Sequence, residues 1–515
     1  MISKQSTSFL KKLLPFVLGA AFVALAWFRL VVQNSEVLIE AQDQSFWQPG
    51  SQYYEQMMQE PGGRFSWAGQ YLTQFFYIPA LGASILILLW LAIAALWIGG
   101  GRLPWYLCWI GFMPGLLLLW AETSLGYWIY VSKIPDWWFA PTLFVLAVSV
   151  AMALARGLNR WIRIPWQIGC LGFLIFMGNS WLDKAQVPAT LQTPFHAMTD
   201  DPNYLAELRM GQAAEAGKWQ VVLAEMRQAK QKPTRAMWML KNMALLHEGR
   251  LATSWLDYPC ITQLPVANDS VNVTLVETQG PLIYYLQGCI GFAYRWSMEN
   301  MVEYGPSMKR LRLMIRCAFI KGEYDLARKY LTMLQRTRFH KAWADEQMKY
   351  LSDPSRLSDD PYYRIPMQLS AAHEDILDGD NSRMESYLHA TASGSNSLDD
   401  PLLSELCLVY VMQTQNINTF WPQFQKYAQL HQGQPMPQLI QQAVLLYQNL
   451  EPQSAPNQQF PFDEEVVQLN QQFHQRANQL GQRGIAQENL GEALKREFGK
   501  TFFWFYFFCR DLSTY

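Results

Sequence analysis

The sequence predicts an all-α chain in two parts, an N-terminal transmembrane helix bundle of about five spans followed by a soluble α-solenoid of stacked helix pairs. Three observations lead there. Five long apolar stretches fill the first 182 residues and then stop. Basic residues gather at every second loop between those stretches, and from Asp183 onward the apolar residues recur with helical period, punctuated by glycine. The two parts are therefore 1–182, with an outer loop 33–77, and 183–515.

The apolar stretches are Leu13–Val32, Ile78–Ile98, Trp105–Trp120, Phe139–Ala155 and Trp166–Leu182. Each is close to the ~20 residues that cross a hydrocarbon core about 30 Å thick. They are expected to be helices, because lipid offers no partner to an unpaired backbone amide or carbonyl. No small-x-small cleavage site follows Trp27–Gln33, so the first span is expected to stay in the mature protein. Arg29 sits near the outer end of that span, where a long side chain reaches the interface. Pro104 and Pro114 interrupt the third stretch, and the aromatic segment Glu122–Trp138 that follows reads as lying along the membrane surface.

Orientation follows from the loops. Lys4, Lys11 and Lys12 precede the first span, Arg102 sits in the second short loop, and Arg156, Arg160 and Arg163 lie between the fourth and fifth spans. The loop 33–77 holds Arg64 as its single basic residue. Positive residues stay inside, so the N-terminus is expected in the cytoplasm and everything after Asp183 outside it. Within that loop Ser51–Gln59 reads as a short helix, and Arg64–Tyr77 as an aromatic helix on the membrane surface.

After Asp183, paired helical patterns meet at Gly217, Gly249, Gly322, Gly379 and near Asn416. Their spacing is one or two units of about 34 residues, the tetratricopeptide period. Leu311–Arg336 resembles one such unit: Gly322 makes the turn, Tyr324 opens the second helix, Ala327 lets helices approach, and Tyr330 and Leu331 fill the next layer. Residues 263–280, polar and β-branched, read as an inserted loop, and the proline-rich 450–461 as a second break. A stack of this kind is expected to fold without the membrane part from about Gln192 onward. The aromatic stretch Phe498–Cys509 is too short to span a bilayer and reads as a closing element packed into the stack.

Composition excludes several function classes. With 41 basic and 42 acidic residues the net charge is −1, which gives nucleic acid no footprint. No phosphate loop, nucleophile elbow or metalloprotease motif occurs, and the seven cysteines contain no CxxC pair. Neither a metal nor a cofactor is expected. Cys260, Cys289, Cys317, Cys407 and Cys509 would face an oxidising compartment, where one or two disulfides are possible. The candidate catalytic residues are Glu36, Glu40 and Asp43, directly outside the first span. Polytopic glycosyltransferases that use lipid-linked sugars keep an essential acid in that loop, and these three resemble it in position alone.

Taken whole, the chain resembles an uncharacterised family of multi-span envelope proteins of Bacteroides-group bacteria. The resemblance is carried by Gly63-Arg64-Phe65 leading into Tyr77-Ile78-Pro79, by Arg295-Trp296-Ser297-Met298-Glu299 ahead of Lys321-Gly322-Glu323-Tyr324, and by Thr501–Phe508. It implies an inner-membrane location, a periplasmic helical-repeat domain, and a use for Asp269-Ser270-Val271 as an O-glycan acceptor centred on Ser270. The expected function is a platform for protein–protein interaction or assembly in the cell envelope. Its partners are the lipid bilayer and an unidentified envelope protein. The alternative is a glycosyltransferase-like enzyme acting through the outer acids.

Overall fold

The structure, a computed structural model, describes the chain apart from residues 1–3, 60–61, 101–102, 125, 127–129, 131–137, 185–202, 230–232, 260–269, 373–399, 416, 454, 457–459 and 510–515. Every regular element among the described residues is helical. The chain divides into two compact units. The first holds Met1–Asp200, Met298–Ile315 and Tyr324–Ser352, and the second holds Asp201–Ser297, Arg316–Glu323 and Asp353–Tyr515. The break at residue 182 does not delimit them, because two later segments cluster with the N-terminal helices.

The N-terminal helices are α1 (Lys4–Trp27), α2 (Ser35–Gln44), α3 (Ser51–Met58), α4 (Gly63–Thr73), α5 (Pro79–Gly100), α6 (Met113–Ser124), α7 (Phe139–Leu154) and α8 (Arg160–Lys184). Among the described residues, five helical stretches are long and apolar enough to cross a membrane: Leu13–Gln33, Pro79–Gly100, Trp105–Ser124, Phe139–Gly157 and Arg160–Gly178. The third begins as a 3-10 helix, Trp105–Phe112, and turns α-helical at Met113. Pro114 is tolerated there because the first turn of a helix needs no partner for that nitrogen. In α5 and α7 the polar atoms are matched across the helices, Trp90 Nε1 donating to Thr142 Oγ1 and Trp97 Nε1 to Ser149 Oγ, both at 3.0 Å. Such pairing is what an apolar surrounding requires.

α4 lies directly on α7. A Cβ at Gly69 would come within 2.9 Å of the Ala140 nitrogen, so glycine permits the approach. The aromatic residues of α4 are packing residues: Phe65 meets Phe144 at 5.5 Å, and Trp67 and Tyr71 meet Trp47 at 5.6 and 4.8 Å. The segment expected along the surface is partly interior, since Glu122, Tyr130 and Trp138 are buried. Its Tyr127, Trp128 and Trp137 lie outside the described residues.

The remaining helices are α9 (Tyr204–Glu215), α10 (Trp219–Arg227), α11 (Arg235–His247), α12 (Leu251–Ser254), α13 (Ser270–Leu286), α14 (Ile290–Tyr304), α15 (Met308–Ile320), α16 (Tyr324–Gln335), α17 (Lys341–Ser352), α18 (Pro361–Ala372), α19 (Pro401–Thr414), α20 (Ile417–Leu430), α21 (Gln438–Leu450), α22 (Glu464–Gln482), α23 (Gln487–Phe498) and α24 (Phe502–Phe508). Residues 263–280, expected as a loop, are helical from Ser270 on. The β-branched Val271, Val273 and Thr274 disfavour helix only weakly, and tertiary context overrides that preference.

Gly217, Gly249 and Gly322 have φ of 67°, 65° and 74°, as turn glycines should. A fourth, Gly288 at φ 81°, divides the long interval, so the four turns stand 32, 39 and 34 residues apart. Each closes its helix the same way. The residue after the glycine donates to the carbonyl five back, from Lys218 to Ala213, Arg250 to Leu245, Cys289 to Tyr284 and Glu323 to Ala318, all at 2.8–2.9 Å. The αL glycine thus satisfies carbonyls that the helix end leaves open. The turn near Asn416 is made by Gln415 at φ 54°, and Gly379 lies outside the described residues.

In the second unit α9 packs on α10 and α11, α11 on α13, α19 on α20, and α22 on α23. The C-terminal aromatics form α24, which packs on α21 and α23 and buries Phe502, Phe503, Trp504 and Phe505. Thr501 caps it by accepting from the Trp504 amide at 3.2 Å. The six described cysteines are thiols, so no expected disulfide forms among them, and Cys260 lies outside the described residues.

One packing feature makes stability pH-dependent. The His247 ring stacks on Trp219 at 3.9 Å, and its buried Nε2 has no hydrogen-bond partner among the described residues. Burial, with Arg364 second, pushes its pKa down to about 4. The folded state therefore holds His247 neutral, a contribution fully present above the ordinary value near 6.5 and lost as pH falls through about 4. Across that window the wild type should lose up to about 3 kcal/mol relative to His247→Phe, read as melting temperature against pH. Parallel curves for the two proteins would contradict this account.

Candidate functional site

The three candidate acids lie on α2, which starts immediately after span one. Span one ends in a π-helical turn, Phe28–Gln33, and Asn34 Nδ2 donates to the Arg29 carbonyl at 2.7 Å, satisfying an acceptor that the widened turn leaves open. Arg29 reaches Gln33 at 2.9 Å and Thr123 at 3.4 Å. Glu36 lies in the first turn of α2, where the helix dipole favours an acid. Glu36, Glu40 and Asp43 follow at helical spacing and share a face.

That face is not solvated. Glu40 is 2% exposed and Asp43 7%, while Glu36 is half-buried. The partners come from α15. Lys309 Nζ donates to both Glu40 oxygens, at 3.1 and 3.2 Å. Arg312 holds Asp43 with a two-pronged fork, Nη1 to Oδ1 and Nη2 to Oδ2, each 3.0 Å. Both acids and both bases are three residues apart on their helices, so the two pairs form consecutive rungs.

Neutral groups complete the network. His340, in the turn before α17, sits 3.3 Å from Arg312 Nη1 through its Nδ1, and 2.6 Å from Gln42 Nε2 through its Nε2. Since Arg312 is a donor only, Nδ1 accepts and Nε2 carries the proton, so the Gln42 amide presents its oxygen. Gln44 Nε2 donates to Glu40 at 2.9 Å, and the Met308 amide donates to the Ser45 carbonyl at 3.2 Å. Burial pushes Arg310 down to about 10, against the opposing pull of Glu40, which leaves it charged at neutral pH.

Chemically, the Glu40 and Asp43 carboxylates are committed. A general base needs an accessible lone pair in reach of a substrate proton. Asp43 instead gives both oxygens to Arg312, and Glu40 gives both to Lys309. Lys309, Arg312 and His340 escaped sequence reasoning because the pairs span 269 residues of chain. A signal was nevertheless present: Met308–Ile320 carries Lys309, Arg310, Arg312 and Arg316 with no acid, and α2 carries three acids with no base.

A second buried acid lies in the same unit. Glu122 of α6 is 1% exposed, accepts from Thr142 Oγ1 at 3.4 Å, and its Oε2 has no hydrogen-bond partner among the described residues. Among the described residues no group of three His, Cys, Asp or Glu side chains is placed to hold a metal ion. Of the residues expected to pack a repeat, Ala327, Tyr330 and Leu331 are buried, Tyr324 is half-buried and Gly322 is exposed at its turn. Ser270 begins α13, and the side chain and the preceding Asp269 lie outside the described residues.

Compared with known proteins, residues 10–163 and 125–510 match the model of a family described as Family of unknown function (DUF6057). No curated protein and no solved structure matches.

Proposed function

The chain belongs to this family of unknown function, and we propose that it is a multi-span protein of the bacterial inner membrane that presents a periplasmic helical-repeat domain as an interaction platform. The carrying observation is the ion network on α2: two of the three acids that the glycosyltransferase reading draws on, Glu40 and Asp43, are buried in pairs with Lys309 and Arg312. Four glycine turns 32, 39 and 34 residues apart support a tetratricopeptide-like stack of helix pairs, a form that binds partners along its surface. The basic loops support a cytoplasmic N-terminus. A Bacteroides-group envelope is the setting that the sequence resemblance suggests.

The test uses the full chain. A reporter active only outside the cytoplasm, fused after Asp183, should be active. Affinity capture from solubilised membranes should enrich an envelope protein, and Lys218→Glu with Lys321→Glu, exposed beside two turns, should weaken that capture without reducing insertion. A cytoplasmic reporter reading, or capture no different from that of an unrelated multi-span protein, would refute the platform.

A further inference from the structure

The turn between α16 and α17 meets the chain where it enters span two. Tyr77 and Ile78, the last two residues before Pro79, are 48% and 49% exposed. Phe339 stacks on Tyr77 at 5.2 Å with an interplanar angle of 14°, and meets Phe75 edge-on at 5.8 Å. His340 meets Tyr77 at 5.4 Å while bonding into the α2 network. The turn is thereby pinned from two sides at the level where a span begins, which is the headgroup layer of a bilayer.

This pinned turn is strongly basic. Arg336, Arg338 and Lys341 fall within six residues that contain no acid, and all three are exposed. Among the described residues none of the three forms an ion pair. The nearby Asp345 accepts from Gln335 at 2.7 Å. The Arg338 guanidinium lies over the Phe75 ring at 5.3 Å and the Phe339 ring at 6.0 Å. An exposed guanidinium held beside two rings retains the N–H donors that can take two phosphate oxygens at once.

Three exposed cations with no ion-pair partner among the described residues, gathered beside the entry of an apolar helix, offer a site to an anion from outside the chain. We propose that the turn Arg336–Lys341 binds the phosphate of an anionic phospholipid headgroup, tethering α16 and α17 to the bilayer surface. This rests on the reading of Pro79–Gly100 as a membrane span. Charge complementarity and the exposed Tyr77–Ile78 entry point select a lipid as the occupant.

The test reconstitutes the full chain in phosphatidylcholine vesicles containing a trace of spin-labelled phosphatidylglycerol or spin-labelled phosphatidylcholine, and measures the immobilised fraction of each. The wild type should prefer phosphatidylglycerol, less so at high salt. R336Q, R338Q and K341Q should lower that preference by about fivefold for each fully engaged charge. The variants should keep the wild-type circular-dichroism spectrum, because the side chains are exposed. Inorganic phosphate at matched ionic strength should not displace the labelled lipid; equal displacement would make this a free-phosphate site and overturn the proposal. An undiminished preference in the triple variant, with stable insertion, overturns the lipid site alone. Extraction of the wild type by alkaline carbonate overturns the membrane reading and the site together.

Discussion

Asp43→Asn should destabilise the folded chain by about 3–5 kcal/mol, read as a lower melting temperature in detergent and a lower abundance in membranes. The Asp43 and Arg312 side chains are each 10% exposed and face one another through two hydrogen bonds. An amide keeps the shape and removes the charge, so Arg312 remains buried with its charge uncompensated. His340 Nδ1, 3.3 Å away, is a neutral acceptor and cannot replace a carboxylate. Replacing both partners, Asp43→Leu with Arg312→Met, should recover most of the loss, because the cost lies in the orphaned charge rather than in the missing bond. Glu40→Gln should cost less, since its partner Lys309 is 19% exposed and can turn to water. An Asp43→Asn protein of normal stability that nevertheless lost its cellular role would return the argument to catalysis.

That expectation reverses what the position of these acids suggests. A carboxylate in an outer loop, a few residues beyond a membrane span, reads as exposed, and its amide variant reads as silent for folding. What decides the matter is α15, whose basic face was visible in the sequence while its destination was not. The same contact revises the view that residues from Gln192 onward form an independent body. A cut there would leave Lys309 and Arg312 without carboxylates and Phe339 without Tyr77.

Local signals were legible where the cause is local. The five apolar stretches were visible because lipid admits little else, and Gly217, Gly249 and Gly322 because a helix end with a left-handed residue selects glycine. Gly288 was hidden in Leu282–Phe292, where Gln287 alone interrupts a run of apolar and aromatic residues and no charge or proline marks the turn. Glu122 was read with the aromatic segment that follows it, because its burial depends on α5 and α7, which meet through Trp90 and Thr142.

The hidden turn should be the costlier one to disturb. Gly288→Ala meets two penalties together. The residue sits at φ 81°, where a Cβ costs roughly 1–2 kcal/mol in the left-handed region. That Cβ would also lie 2.6 Å from Leu369 Cβ and 2.7 Å from the Ser370 nitrogen of α18, so backbone must shift, for another ~1–3 kcal/mol. Gly249→Ala is the control. Its φ of 65° is equally left-handed, but nothing lies within 4 Å of the added carbon, so only the first penalty applies. Melting of the two full-length variants should therefore separate a turn that merely closes a helix from one on which α18 is seated. Equal losses would mean that α18 does not pack on Gly288.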